Sequence, residues 1–416
     1  MAQGYIPGIV AAIATFGAIA GITLHSNSSN SVLVAEPRSL PTHSLDEPTF
    51  LVVAGGGAPS YNEIALEKNV RYFQRTRSHL GKSVAAPTIF FANGNDGQAT
   101  VRYLDPLGQE RFKVPEIEHL SGPATHANVQ HWLDTYPQTA AGAENCPVFM
   151  YFTGHGALNA NNDDNNAMIL WEEALMSVQD LAQTLDRWPT DTPFVTMMAQ
   201  CYAGSFANLI YEGGDPAQPV ALQSRCGFFG TVKTRPSVGC TPLVNEADYR
   251  DYSSSFFAGL SGRDRLSNPV DRADYDYNGE VSFAEAHAFA KVDAETPDWP
   301  ISTAEAWLQR QATTTNETAI LHTPMRELLA QARPEQQFVI VSLGTLLGYN
   351  LTATFYDSPV PQAHLLSPSQ EVLTAYHQRL RMELLNVGME QAIRTRGETT
   401  AIATLDRLLA CEAGTW

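Results

Sequence analysis

Two short motifs carry side chains suited to covalent chemistry. His155 stands in Thr153-Gly154-His155-Gly156 and Cys201 in Gln200-Cys201-Tyr202-Ala203-Gly204, each directly after an apolar run. A cysteine attacks carbonyl carbon as the thiolate, and a nearby imidazole both lowers the thiol pKa and later protonates the leaving group. A glycine after the histidine lets its backbone N–H approach a substrate carbonyl, so Gly156 and the N–H of Cys201 are the expected oxyanion donors. Taken singly, a cysteine after an apolar strand is more often an inert core thiol, and a histidine beside glycines is often a satisfied loop residue. Together they predict a dyad, 46 residues apart (201 − 155), at the ends of two strands.

A second pattern runs from Asp274 through Asp276, Asn278, Gly279 and Glu280 to Glu285 and satisfies D-x-[DN]-x-[DN]-G-x5-E. Side-chain oxygens of Asp274, Asp276 and Asn278, the Glu280 carbonyl and a bidentate Glu285 form the ligand set expected for Ca2+. The expected role is structural, since calcium held by protein oxygens offers no chemistry of its own. The competing reading of residues 274–285 is a polar turn ahead of a helix cap. The tract 159–166, with Asp163 and Asp164, reads as a solvated loop.

These residues need a frame to hold them. Apolar runs at 50–53, 88–91, 148–152, 194–199 and 228–232 read as strands buried on both faces. Between them, Leu66, Val70 and Phe73, then Val129, Trp132 and Leu133, follow helical spacing, and Ser177 with Asp180 forms a capping box ahead of Val178, Leu181 and Leu185. Strand and helix in alternation predict an α/β/α three-layer sandwich with a mostly parallel sheet, whose chemistry collects beyond the carboxyl ends of the strands. A helix is expected over 252–260 and another from Ser282. From about residue 313 a smaller, mainly helical region is expected, with stripes at Val372, Tyr376, Leu380 and Leu384; the run 338–347 is left open.

Length and composition bound the rest. The chain has 416 residues, and 26 basic against 44 acidic side chains give −18, which repels phosphate backbones and excludes nucleic acid as the expected partner. Residues 6–24 lack any charge and include the small-x-small triplet Ala18-Ile19-Ala20. They read as a signal peptide or a single membrane anchor, which places the rest of the chain outside the cytoplasm, secreted or periplasmic. The expected organisation is 1–24 leader, 25–46 linker, 47–312 catalytic domain and 313–416 helical domain. Five cysteines, at 146, 201, 226, 240 and 411, are too few for a disulfide framework. Cys226 and Cys240 flank one strand, and either a disulfide between them or two free thiols fits. The triplet Gly55-Gly56-Gly57 matches neither GxGxxG nor GxxxxGK[ST], so a nucleotide is not expected.

The His-Gly strand end followed by a strand ending at a cysteine resembles the caspase and legumain clan of cysteine peptidases, and within it the bacterial legumain-like hydrolases. The resemblance covers about residues 50–308. It implies a caspase-hemoglobinase-like fold and a cysteine endopeptidase acting on protein or peptide substrates, with His155 as base and acid, Cys201 as nucleophile and Gly156 as second oxyanion donor. It further implies that Asn62 orients the histidine, although a helix cap explains Asn62 as well. The legumain pattern has an arginine two residues after that asparagine where this chain has Ile64, and Ala199-Gln200-Cys201 has an additional Gln before the cysteine. The segment after the fifth strand, with Thr234, Arg235 and Glu246, is expected to shape the substrate pocket. A transamidase of the same clan and a catalytically silent calcium-binding scaffold are the alternatives.

Overall fold

Successive residues of each buried strand go to opposite cores. Phe50, Val52, Phe149 and Tyr151 pack on one side of a central sheet, and Leu51, Val53, Val148 and Met150 on the other. A run that is apolar at every position therefore has both faces buried. Each fully buried aromatic or aliphatic side chain contributes about 1.5–3 kcal/mol.

The computed structural model describes residues 48–81, 86–139, 147–364 and 368–416. The expected leader (1–24), the linker (25–46) and Cys146 lie outside the described residues. The strands are β1 (Thr49–Gly55), β2 (Thr88–Phe91), β3 (Val101–Leu104), β4 (Glu110–Lys113), β5 (Val148–Ala157), β6 (Ala167–Ile169), β7 (Leu175–Ser177), β8 (Phe194–Met198), β9 (Arg225–Phe229) and β10 (Ile301–Ser302). The main sheet runs β10-β9-β8-β5-β1-β2, with β9 to β2 parallel and β10 antiparallel at the edge; β6 and β7 extend β5 as an antiparallel flap. Strands β3 and β4 form a separate hairpin.

Helices cover both faces, so the chain is a three-layer α/β/α sandwich. The first layer holds α1 (Ile64–His79), α4 (Tyr252–Ser261) and α5 (Phe283–Asp293), and the second holds α2 (His126–Thr139) and α3 (Val178–Leu185). The Ser177 and Asp180 side chains form the capping box expected for α3. Two expectations need correction. The fifth strand is Arg225–Phe229, not 228–232, because it begins at a polar residue: Arg225 pairs with Asp186 at 2.9 Å, while Gly230 and Thr231 already leave the sheet. The open run at 338–347 is helical.

Beyond α6 (Thr303–Arg310) come α7 (Thr314–Leu321), α8 (Met325–Leu329), α9 (Pro334–Leu346), α10 (Gln370–Arg396) and α11 (Thr399–Glu412). These helices are built into the sandwich. They share one core with Ile210, Tyr211, Ala288 and Trp307, and the Trp416 ring meets Phe50 at 5.1 Å and Phe149 at 5.3 Å. A disulfide joins Cys226 of β9 to Cys411 of α11, so the pairing of Cys226 with Cys240 is not made, and Cys201 and Cys240 are free. Cys226 points into the core that α11 covers, whereas Cys240 lies on the far side of the strand tips, at Gly154.

Candidate active site

Strand register places the two motifs side by side. In the parallel β5–β8 pair, Phe152 lies opposite Met198. His155 (152 + 3) and Cys201 (198 + 3) each follow three residues on, His155 in the part of β5 that pairs with β6 and Cys201 past the end of β8. Gly156 stands against the Cys201 backbone so closely that a Cβ added to it would come within 2.0 Å of the Cys201 carbonyl oxygen. Only glycine fits there. The chain turns sharply out of β8 at Cys201, since Tyr202 has φ +60° before the 3-10 helix Ala203–Ile210, and the Tyr202 N–H donates to the Arg235 carbonyl at 2.9 Å. A non-glycine residue held at positive φ is a sparsely populated conformation that its surroundings must impose.

The histidine ring is held from the β1 side. Its Nε2 lies 2.9 Å from the Tyr61 carbonyl and 3.0 Å from Glu63 Oε2. Both partners accept, so Nε2 carries the proton and Nδ1 keeps the lone pair that a base needs. Burial opposes the charge on Glu63, but hydrogen bonds from His155 and Arg102 outweigh it and hold the carboxyl below its ordinary pKa. Arg102 Nη2 takes the other oxygen at 2.6 Å. The glycine triplet makes this possible: a Cβ on Gly56 would meet the Tyr61 carbonyl oxygen at 2.0 Å.

Among the described residues no hydrogen bond joins Asn62 to His155. Asn62 is fully buried, accepts from the Gly56 N–H at 3.0 Å and donates to the Thr100 carbonyl at 3.3 Å, which braces the turn. The side chain that hydrogen-bonds the imidazole is that of its neighbour Glu63, beside the Tyr61 carbonyl. A carboxylate directly before a helix, after a glycine-rich turn, was the available sequence signal.

The cysteine is held from the loop after β9. Cys201 Sγ accepts from the Ser237 N–H at 3.3 Å and lies 3.6 Å from the Ser237 carbonyl. Burial pushes the thiol pKa up, only partly offset by the Ser237 N–H, and the Asp298 carboxylate raises it further. Asp298 accepts from Ser237 Oγ at 2.8 Å and the Val238 N–H at 3.2 Å, and burial lifts its own pKa to about 6. Among the described residues no hydrogen bond joins His155 to Cys201. The thiol grouped with the histidine is that of Cys240: ligand atoms of Glu63, His155 and Cys240 lie within 4.8 Å of one another. Cys240 Sγ also lies 3.7 Å from the Gly154 carbonyl. Cys240 is reached by solvent, yet the protein packed round its sulfur, and next the Glu63 carboxylate, push its thiol pKa well up.

A cavity of about 360 Å³ lies beside the turn after Cys201, lined by Tyr211, Trp307 and Thr234, with Lys233, Arg310 and Asp164 among its polar residues. Thr234 thus lines a pocket. Arg235 instead stacks over Trp299 at 4.2 Å, and Glu246 pairs with Arg75 at 2.7 Å, away from this cavity.

At the second motif the carboxylates of Asp274, Asp276 and Glu285 converge, with oxygens within 4.8 Å of one another. Asp274 Oδ1 is buried with no hydrogen-bond partner, and Gly279 takes φ +93° at the turning position. An unpaired carboxylate oxygen aimed into such a cluster fits a hard cation. Glu285 is otherwise engaged, its Oε1 accepting from the Tyr275 N–H at 2.7 Å and its Oε2 capping α5 through Ser282, so bidentate ligation requires it to release the cap. Asn278 Oδ1 accepts from the Glu280 N–H.

No family model matches the chain, and no curated relative does. Among solved structures the chain is similar to protein GSU0716 from Geobacter sulfurreducens, at 12% identity and a TM-score of 0.32, over 58% of this chain and 88% of that one. A likeness at that level carries no argument about fold or function.

Proposed function

We propose that this chain is a cysteine endopeptidase of caspase-like or legumain-like type, with His155 and Cys201 as its dyad. The observation that supports the reading is the strand register, which puts His155 and Cys201 at the same level on neighbouring chain segments, with Gly156 packed on the Cys201 backbone where a Cβ would clash. In the proposed cycle, His155 Nδ1 takes the thiol proton as Cys201 Sγ attacks a peptide carbonyl. Backbone N–H groups of Gly156 and Cys201 stabilise the oxyanion. The C–N bond breaks as the imidazolium returns its proton to the amine, and water then hydrolyses the thioester through the same base. Glu63 fixes the tautomer and stabilises the imidazolium, the part a carboxylate takes in a hydrolase triad. The raised Cys201 pKa fits a resting thiol that ionises only as the His155 contact forms on substrate binding; catalytic hydrogen bonds often tighten at that stage.

The position of Cys240 near His155 favours one rival, in which Cys240 is the nucleophile. Cleavage of a mixed peptide library by the parent protein, Cys201→Ala and Cys240→Ala decides between them. Loss of cleavage with Cys201→Ala alone supports the proposal. Loss with Cys240→Ala alone reassigns the nucleophile, and no cleavage by any of the three sinks the peptidase reading.

Residues 274–285 are proposed to bind Ca2+ through Asp274, Asp276, Asn278, Glu280 and Glu285, bracing the start of α5. The Cys226–Cys411 disulfide supports an oxidising, extracytoplasmic location. No helix of the described residues is long and apolar enough to cross a membrane.

A further inference from the structure

Beside the proposed dyad lies a thiol, that of Cys240, which the proposed hydrolysis does not use. Glu63, His155 and Cys240 offer a carboxylate oxygen, an imidazole nitrogen and a sulfur, one from each, within 4.8 Å of one another. They come from three separate segments, the turn before α1, the end of β5 and the loop after β9, so helical or sheet periodicity does not account for their meeting. Tetrahedral Zn2+ with bonds of about 2.0–2.3 Å needs ligand atoms about 3.5 Å apart, which falls inside the 4.8 Å that encloses the three atoms. His155 Nε2 and Glu63 Oε2, now at 3.0 Å, need only part slightly to admit the ion. The set is wrong for calcium, which takes oxygen alone, and right for a borderline-soft ion that accepts N, S and O. Arg102 holds the remaining Glu63 oxygen and fixes the carboxylate as an outer partner of a metal site does.

We infer that Glu63, His155 and Cys240 form a binding site for Zn2+ or a similar borderline-soft divalent ion, and that this ion switches the enzyme off. Binding replaces the Cys240 thiol proton, which is released to solvent, by a Zn–S bond. At the histidine, Nε2 must give its lone pair to the metal, so its proton moves to Nδ1. The nitrogen that would act as base toward Cys201 then carries a proton and loses that function. A fourth ligand, water, completes the tetrahedron from the open cleft. The metal site stands on its own residues; that it silences hydrolysis rests on the peptidase reading above.

Co2+ reports such a site directly, since a sulfur ligand adds a near-ultraviolet charge-transfer band and a tetrahedral field intensifies the visible bands. The test titrates full-length Cys201→Ala protein with Co2+, alone and with the further change Cys240→Ser or His155→Ala, and competes the Co2+ with Zn2+. An intense band saturating at one equivalent in Cys201→Ala, displaced by Zn2+ and lost with Cys240→Ser, supports the site. The His155→Ala change should weaken Co2+ binding at least about tenfold. Absence of the band in Cys201→Ala, or its persistence in Cys240→Ser, overturns the site. Inhibition is read separately: equimolar Zn2+ should suppress peptide cleavage by the parent protein and spare Cys240→Ser. Equal inhibition of both overturns the switch, while a Co2+ band in a protein that cleaves nothing leaves the site standing and removes the peptidase reading alone.

Discussion

Arg379, in the middle of α10, donates from Nε to the backbone carbonyl of Asp298 at 2.8 Å, and Asp298 in turn holds the Ser237–Val238 backbone that touches the Cys201 sulfur. The same guanidinium reaches the carbonyls of Lys291 at 2.9 Å, Ala294 at 2.7 Å and Thr296 at 2.8 Å. One buried side chain of the C-terminal helices thus organises the segment from α5 to the cleft. Burial pushes its pKa down to about 10, so it remains charged at neutral pH.

Replacing Arg379 by Leu leaves those carbonyls buried without donors, and the expected cost is on the order of 3–5 kcal/mol. Peptide cleavage should fall with it. Arg379→Lys should recover part of the stability, because one ammonium reaches fewer of the carbonyls. Chemical denaturation of the three proteins checks the order.

Asp298→Asn removes a negative charge that opposes ionisation of Cys201. The pH of half-maximal alkylation of Cys201 by iodoacetamide should move down. The carboxyl's pKa is raised from 3.8 to about 6 in the fold, so its ionisation disfavours the folded state. Stability of the parent protein should accordingly decline as pH rises between those values, and this component should vanish in Asp298→Asn.

Glu63→Gln keeps the shape but no longer stabilises the imidazolium, and its amide can turn a donor toward Nε2 and favour the wrong tautomer. A fall of about 10²–10⁴-fold in kcat with little change in KM is expected. Glu63 is held below its ordinary value of 4.5 in the fold. Its contribution is present above that value and lost as pH falls through the lowered one. The melting temperature of the parent protein should therefore drop more steeply below pH 4.5 than that of Glu63→Gln.

Calcium should raise the melting temperature of the parent protein by a few degrees and leave Asp274→Ala unmoved, because Asp274 carries the unpaired buried oxygen. A chelator should reverse the gain. Equal responses in both proteins would remove the calcium assignment.

The disulfide spans 185 residues and ties α11 to the central sheet. Cys411→Ser should cost about 2–5 kcal/mol, since the unfolded chain loses a long-loop constraint. Denaturant midpoints with and without a reducing agent provide the check: the reductant should destabilise the parent and leave Cys411→Ser unchanged.

Several positions show why parts of the site were legible and others were not. His155 and Cys201 stood out because each follows an apolar strand, and strand ends are where parallel sheets gather their chemistry. The motif at 274–285 was legible because its candidate oxygen donors are local in the chain. Glu63 was obscured by Asn62 beside it, the residue to which the family resemblance pointed. Cys240, Ser237 and Asp298 lie in loops with no periodicity, so nothing local marks them as facing the cleft.

Apolar runs alternating with amphipathic stripes are enough to dictate a layered sheet with helices on both faces, because burial depends on local pattern and on nothing distant. Which thiol would sit beside which imidazole, which cysteine would pair with Cys411, and that Arg379 would hold the Asp298 carbonyl depended on contacts between residues tens to hundreds of positions apart. Such contacts are set by how the layers pack, and no spacing along the chain encodes them.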